Sequence, residues 1–263
     1  MKILKKLFII MLLLIVVAAC AGLWILYGNT TSNPYNYVTV GDIPTPSGYE
    51  RINGDDAAYS RYLRSLPLRP KGAKVQLFTG GEARLQPLCY AVVDIPLLSN
   101  AEQCADVCMR LRAEYLFNTG QYGKIRFNNV NGQTMYYGGE ASRKAFERYM
   151  RNVYGVASTF SLSREMGQRP LKDMQPGDVF VYAAADRPGN LKYGHAVMVV
   201  DVAQDKLGRK AFMLAEGNTP ARDIHVMRNF ANPFRSPWFM LDEDADKLLI
   251  AVFHYKASEL RHF

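Results

Sequence analysis

Three short apolar runs, each bounded by turn residues, organise the second half of the chain. They are Val179–Tyr182, the run that follows Gly194-His195 to Asp201, and Ala211–Glu216, which ends in Gly217-Asn218. Runs of this length, rich in Val, Phe and Tyr, read as strands. Pro176-Gly177 suits the centre of a type II turn, because Pro presets φ and Gly supplies φ > 0. The chain thus turns into one strand, returns on a second and returns again on a third. Earlier segments carry helical spacing instead. Asp55-Asp56 can cap a helix through Tyr59, Tyr62, Leu63 and Leu66 that Pro67 stops. Ser99 with Glu102 makes a capping box for a helix over residues 99–117, with Cys104, Val107, Cys108, Leu111 and Tyr115 on one buried face. A third helix covers 141–153, with Gly155 as its C′ residue, and Ser161–Met166 is one more helical turn. Strands are predicted over 74–78 and 88–95 around Gly80-Gly81, over 123–128, over 223–228, and as one final strand over 247–255. Helices lead and strands joined by short loops follow, which indicates α+β with a largely antiparallel sheet.

The extreme N-terminus breaks this pattern. Three lysines precede an almost wholly apolar run from Leu7 to Tyr27, the layout of a secretory signal. Val17-Ala-Ala-Cys20 places small residues before a cysteine, as a bacterial lipobox does. On that reading residues 1–19 are a signal peptide and Cys20 carries the lipid. The run also reaches the ~20 residues of an uncleaved anchor. Either way the remainder lies in the cell envelope, outside the cytoplasm and tethered to a membrane. Residues 28–47 are polar and proline-spaced, so 20–47 reads as a membrane-proximal linker and 48–263 as one domain. The formal charge is +8, which falls to +5 without the leader lysines. A modest positive excess suits an anionic wall or membrane surface. No basic run with interleaved aromatics points to nucleic acid.

Beyond Cys20 the only cysteines are Cys89, Cys104 and Cys108, an odd number, so at least one thiol is free. A helix N-terminus favours a thiolate, and a nearby imidazole removes the proton. Cys104 sits near such a start, and His195 opens a strand beside a glycine. Glu216 or Asn218 can hold the far ring nitrogen, and Gln103 or a backbone N–H can stabilise an oxyanion. His225 alternates against Ile224 and Val226, so it points to the opposite face and reads as exposed or as a groove wall. Tyr136, Tyr137, Trp238 and Phe239 are candidates for a groove that takes sugars or peptides. No metal-ligand spacing and no cofactor motif stands out.

A cysteine at a helix start, Pro-Gly-Asp178 leading into a strand, Gly194-His195 opening the next and a polar residue on a third resemble the papain-like cell-wall hydrolases, the NlpC-type endopeptidases and CHAP-type amidases. The likeness covers residues 99–218. Leu214-Ala-Glu-Gly-Asn218 is closer to the CHAP pattern. The resemblance implies a papain-like fold, N-terminal helices packed on the sheet, with Cys104 as nucleophile, His195 as base and Glu216 as the residue that orients it. It implies hydrolysis of amide bonds in peptidoglycan or related peptides through a thioester. Those hydrolases usually carry a small pair such as Asp-Cys-Ser at the nucleophile, where this chain has Gln103-Cys104-Ala105. The alternative is therefore an inactive copy of the fold that binds a wall or surface ligand. The whole chain also resembles a family of exported lipoproteins of Bacteroidota, in Gln103–Asp106, Met109–Tyr115 and Ser236–Trp238.

Overall fold

The structure is a computed structural model that describes residues 2–23, 30–139, 141–187, 189, 192–234 and 236–263. Residues 24–29 of the expected linker lie outside the described residues. Helix α1 (Lys2–Leu23) runs from the leader across the expected boundary at Cys20, and its residues from Phe8 to Val17 are all exposed. The segment expected as a linker is not free of the domain from residue 30 onward. Asn33, Val40 and Ile43 are buried, the Asn33 amide donates to the carbonyls of Tyr37 and Arg69, and the Trp238 indole donates to Pro44. Its polar, proline-rich composition suggests a tether, yet its few apolar residues and one amide are enough to dock it.

Strand β1 (Tyr49–Arg51) and helix α2 (Ala57–Arg64) follow, the helix capped by Asp56, whose carboxylate accepts the Tyr59 N–H. Residues 74–78 make isolated bridges in place of the expected strand, and β2 covers Cys89–Val92. Helix α3 (Cys104–Asn118) starts later than its sequence suggests. Glu102 does not cap it. The carboxylate accepts the Leu98 N–H in the preceding turn and meets Arg110 at 3.4 Å. Gln103 is the N-cap residue, its N–H bonded to Asp106, so Cys104 is the first helical residue. Nor is α3 buried on one face alone, since Asp106, Arg110 and Glu114 are buried as well. Next come β3 (Arg126–Asn128), β4 (Thr134–Tyr136), α4 (Arg143–Val156), which continues through Gly155, and α5 (Thr159–Glu165).

The main sheet gathers β5 (Gly167–Gln168), β6 (Val179–Tyr182), β7 (His195–Asp205), β8 (Lys210–Glu216), β9 (His225–Met227) and β10 (Phe239–Met240). The expected last strand is instead a hairpin, β11 (Lys247–Ile250) and β12 (Phe253–Lys256), followed by β13 (Leu260–His262). Strand order is β2-β9-β8-β7-β6-β13-β5, with β1 also on β7, β10 on β8, and every pairing antiparallel. The α+β class and the antiparallel sheet therefore stand.

The central strands are covered on both faces. Ala196, Met198 and Val200 of β7 and Met213 and Ala215 of β8 join Val107, Cys108 and Leu111 of α3 in one core. Alternate residues Val197, Val199, Phe212 and Leu214 join Leu248, Ile250 and Tyr255 of the hairpin in a second. Strand alternation places His195, Glu216 and His225 on the hairpin side. Of the candidate groove aromatics, Tyr137, Trp238 and Phe239 are buried and only Tyr136 is exposed.

Candidate active site

The sharp turn before β6 depends on Gly177, whose φ of 95° places it in the left-handed region. Its N–H bonds the Val199 carbonyl at 2.7 Å and fixes β6 beside β7. Two further glycines bring the chemistry-bearing residues together by close approach. A Cβ at Gly194 would collide with the Thr159 side chain and the Tyr182 carbonyl. A Cβ at Gly217 would lie 2.6 Å from Val107 of α3. Only hydrogen at these positions lets α5 and α3 press against the strand ends that carry His195 and Glu216.

His195 and Glu216 are diagonal neighbours across the β7–β8 ladder. Met198 pairs with Ala215, so the position facing His195 falls two residues beyond Glu216. Diagonal pairs on one face are within reach of long side chains. His195 Nε2 bonds Glu216 Oε2 at 2.8 Å. The Cys104 thiol lies beside the same ring, near enough to act on its pKa. Burial alone would lower the His195 pKa; the thiol and Glu216 outweigh it and raise the value to about 9. Burial would raise Glu216, but hydrogen bonds from His195 and then His225 hold it down at about 2. Glu216 is thus a buried carboxylate that stays charged because two imidazoles face it.

His225 corrects the sequence expectation. It is not exposed but buried, paired with Glu216 across β8–β9. Its Nε2 lies 3.3 Å from Glu216 Oε1 and its Nδ1 3.2 Å from the Asp223 carbonyl. A doubly protonated ring satisfies both acceptors, whereas a neutral ring satisfies one. The sequence signal was present: alternation does put His225 opposite Ile224 and Val226, but the face it points to is packed.

Asn218 does not orient the base. Its Oδ1 accepts the Thr219 N–H at 2.8 Å, closing the loop after β8. Gln103 sits beside Cys104 as expected, and its Oε1 accepts the Thr219 hydroxyl at 2.7 Å. That bond leaves the amide NH2 as the donor end. At the first turn of α3 the backbone N–H groups have no intrahelical acceptor, so they too can face an oxyanion next to the thiol. Asp106, two residues on, is pushed up to about 7 by burial.

The site is closed. Cys104 is 7 % exposed, His195 3 % and Glu216 1 %. The Phe253 ring stacks on the His195 ring, centroids 3.9 Å apart at 26°. Behind it lies a cavity of about 40 Å³ lined by Glu216, His225, Asn218, Arg222, Arg84 and Phe253 among others. Cys20, Cys89, Cys104 and Cys108 are all free thiols. Burial lifts Cys89 to about 12 and raises Cys108 well above the ordinary thiol value, so both are inert core residues.

The model of a family described as "Domain of unknown function (4846)" matches residues 40–139 and 137–262. The chain belongs to that family. No curated protein and no solved structure matches the chain. Cys104 falls in the first matched segment, His195, Glu216 and His225 in the second. Both halves of the Domain of unknown function (4846) match therefore contribute to the constellation.

Proposed function

We propose that this protein is a membrane-tethered cysteine hydrolase of papain-like type, cutting amide bonds in peptidoglycan or related peptides in the cell envelope. The observation that carries the reading is the linear order thiol, imidazole, carboxylate, with Cys104 as the first residue of α3 and His195 bonded to Glu216 at 2.8 Å. The Cys104 sulfur attacks the scissile carbonyl and His195 takes the thiol proton. The ring then gives that proton to the leaving amine, and a water activated by His195 resolves the thioester. Glu216 fixes the ring and stabilises the imidazolium. The Gln103 amide and the helix N–H groups support the oxyanion. Residues 1–19 would be the signal peptide and Cys20 the lipid attachment point.

The test is direct. Full-length protein and its Cys104→Ala variant are incubated with purified peptidoglycan and with short wall peptides, and released fragments are read by mass spectrometry. Release by the wild type and none by Cys104→Ala is the expected result; equal release by both refutes the assignment. A second reading, an inactive papain-like domain that holds a wall or surface ligand, is favoured by the Phe253 ring seated on His195 in a closed site. It predicts retention on peptidoglycan without fragments.

A further inference from the structure

The small cavity beside Glu216 carries an imbalance of charge. Its wall holds one carboxylate, Glu216, which is already engaged by His195 and His225, and two guanidiniums, Arg84 and Arg222. Arg222 is half-buried, and burial lowers its pKa, with only Glu216 acting in the other direction. Its bonds go to backbone: Nε to the Pro220 carbonyl at 3.3 Å and Nη2 to the Thr219 carbonyl at 3.2 Å. Among the described residues no carboxylate forms an ion pair with Arg222 or Arg84. Most other half-buried arginines differ; Arg51, Arg64, Arg69, Arg112, Arg169 and Arg187 each meet an Asp or Glu. A half-buried guanidinium without a counter-ion is a place for an anion.

Position ties that anion to the reaction centre. Arg222 holds the Thr219 carbonyl, and the Thr219 hydroxyl holds Gln103, the residue before the thiol. Phe253 both lines the cavity and stacks on His195. At about 40 Å³ the cavity has room for a group of a few heavy atoms and not for a sugar ring or an aromatic side chain.

We infer that Arg222, with Arg84 at the exposed rim, forms a subsite for a carboxylate carried by the substrate, so that the bond cut lies in an acidic peptide. This rests on the hydrolase reading for its biological meaning, but the subsite itself is testable without turnover.

The probe is a pair of small alkylating agents, iodoacetate and iodoacetamide, in which the thiolate sulfur displaces iodide. Both need the same thiolate and the same access, so the ratio of their rates at the Cys104 peptide, followed by mass spectrometry on the full chain, isolates the pull on a carboxylate. In the wild type that ratio is expected to exceed the Arg222→Gln ratio by about fivefold at low salt, with Arg222→Lys close to wild type. Equal ratios in wild type and Arg222→Gln overturn the subsite. Should Cys104 resist both reagents, thermal shift replaces them. N-acetylglutamate raises the wild-type melting temperature more than N-acetylglutamine and the difference vanishes in Arg222→Gln; no difference in the wild type also overturns it. Failure of Cys104→Ala to stop hydrolysis, by contrast, ends the enzyme reading and leaves these ratios standing.

Discussion

Helix α3 carries two buried polar clusters, one at its tip and one about two turns along, built from different chemistry. In the middle of the helix, Arg110 bonds Glu114 at 2.6 Å and meets Glu102 at 3.4 Å, while Arg143 forks onto both oxygens of Glu114 at 2.6 Å. At the tip, the Cys104 thiol lies beside His195, and His195, Glu216 and His225 follow one another without a guanidinium in the chain of bonds. Guanidinium keeps its proton at any physiological pH and binds carboxylates in a fixed fork. Imidazole and thiol exchange protons near neutrality. The mid-helix cluster holds α4 against α3, and its guanidiniums do not give up their protons. The tip cluster is where a proton can travel.

Removing one member of each cluster separates the two roles most sharply. Cys104→Ser changes one atom and is expected to lower hydrolysis by at least ~1000-fold while shifting the denaturation midpoint by less than about 1 kcal/mol. Arg110→Met leaves Glu102 buried without its cation and Glu114 with Arg143 alone, and is expected to cost about 3–5 kcal/mol of stability, read by urea unfolding, with activity per folded molecule unchanged. A Cys104→Ser variant that unfolds, or an Arg110→Met variant that folds normally, would erase the distinction.

Glu216→Gln comes next. It keeps the shape but removes the charge that holds the His195 imidazolium, and hydrolysis is expected to fall by about 10–100-fold. Stability against pH gives the same residue a second reading. His195 is raised from 6.5 to about 9, so its contribution is fully present below pH 6.5 and lost as pH rises through about 9. Glu216 is lowered from 4.5 to about 2, so its contribution is present above pH 4.5 and lost as pH falls through about 2. In the mid-helix cluster burial raises Glu102 from 4.5 to about 7, so its effect is complete near pH 7. Between pH 7 and 9.5 the wild-type melting temperature should therefore decline more steeply than that of Glu216→Gln. Parallel curves would mean that Glu216 does not hold the proton on His195.

The tip cluster was largely legible in the sequence because glycine and proline mark it. Gly177 sets the turn, Gly194 introduces His195, and Gly217 follows Glu216, each where backbone must come close to a neighbour. The mid-helix cluster was not legible. Arg110 and Glu114 are ordinary helical residues at i, i+4 and read as solvated until α4 is known to cover them. His225 was misplaced for a related reason. Its face is buried by the β11–β12 hairpin, and that hairpin reads as one strand in the sequence because its turn, Ala251-Val252, holds no Gly, Asn, Asp or Pro. Ala251 adopts a φ of 52°, a left-handed conformation that sequence rules assign to other residues.

The smallest expected effect concerns His225, and it asks how far the tip cluster extends. The two imidazoles share one carboxylate unequally: Oε2 lies 2.8 Å from His195, Oε1 3.3 Å from His225. The longer contact is the weaker, and His225 is fastened on its other side to the Asp223 carbonyl. It therefore steers the plane of the Glu216 carboxylate and never reaches the thiol, which makes it a positioning residue. His225→Gln, which can still donate one hydrogen bond, should lower kcat about threefold to tenfold and leave KM unchanged. His225→Leu should lose more, because Glu216 Oε1 is then buried without a donor. In a Glu216→Gln background the His225→Gln change should add almost nothing, since the group it steers is gone. If the two losses simply multiply, His225 belongs to the packing of β9 and the proton path ends at Glu216.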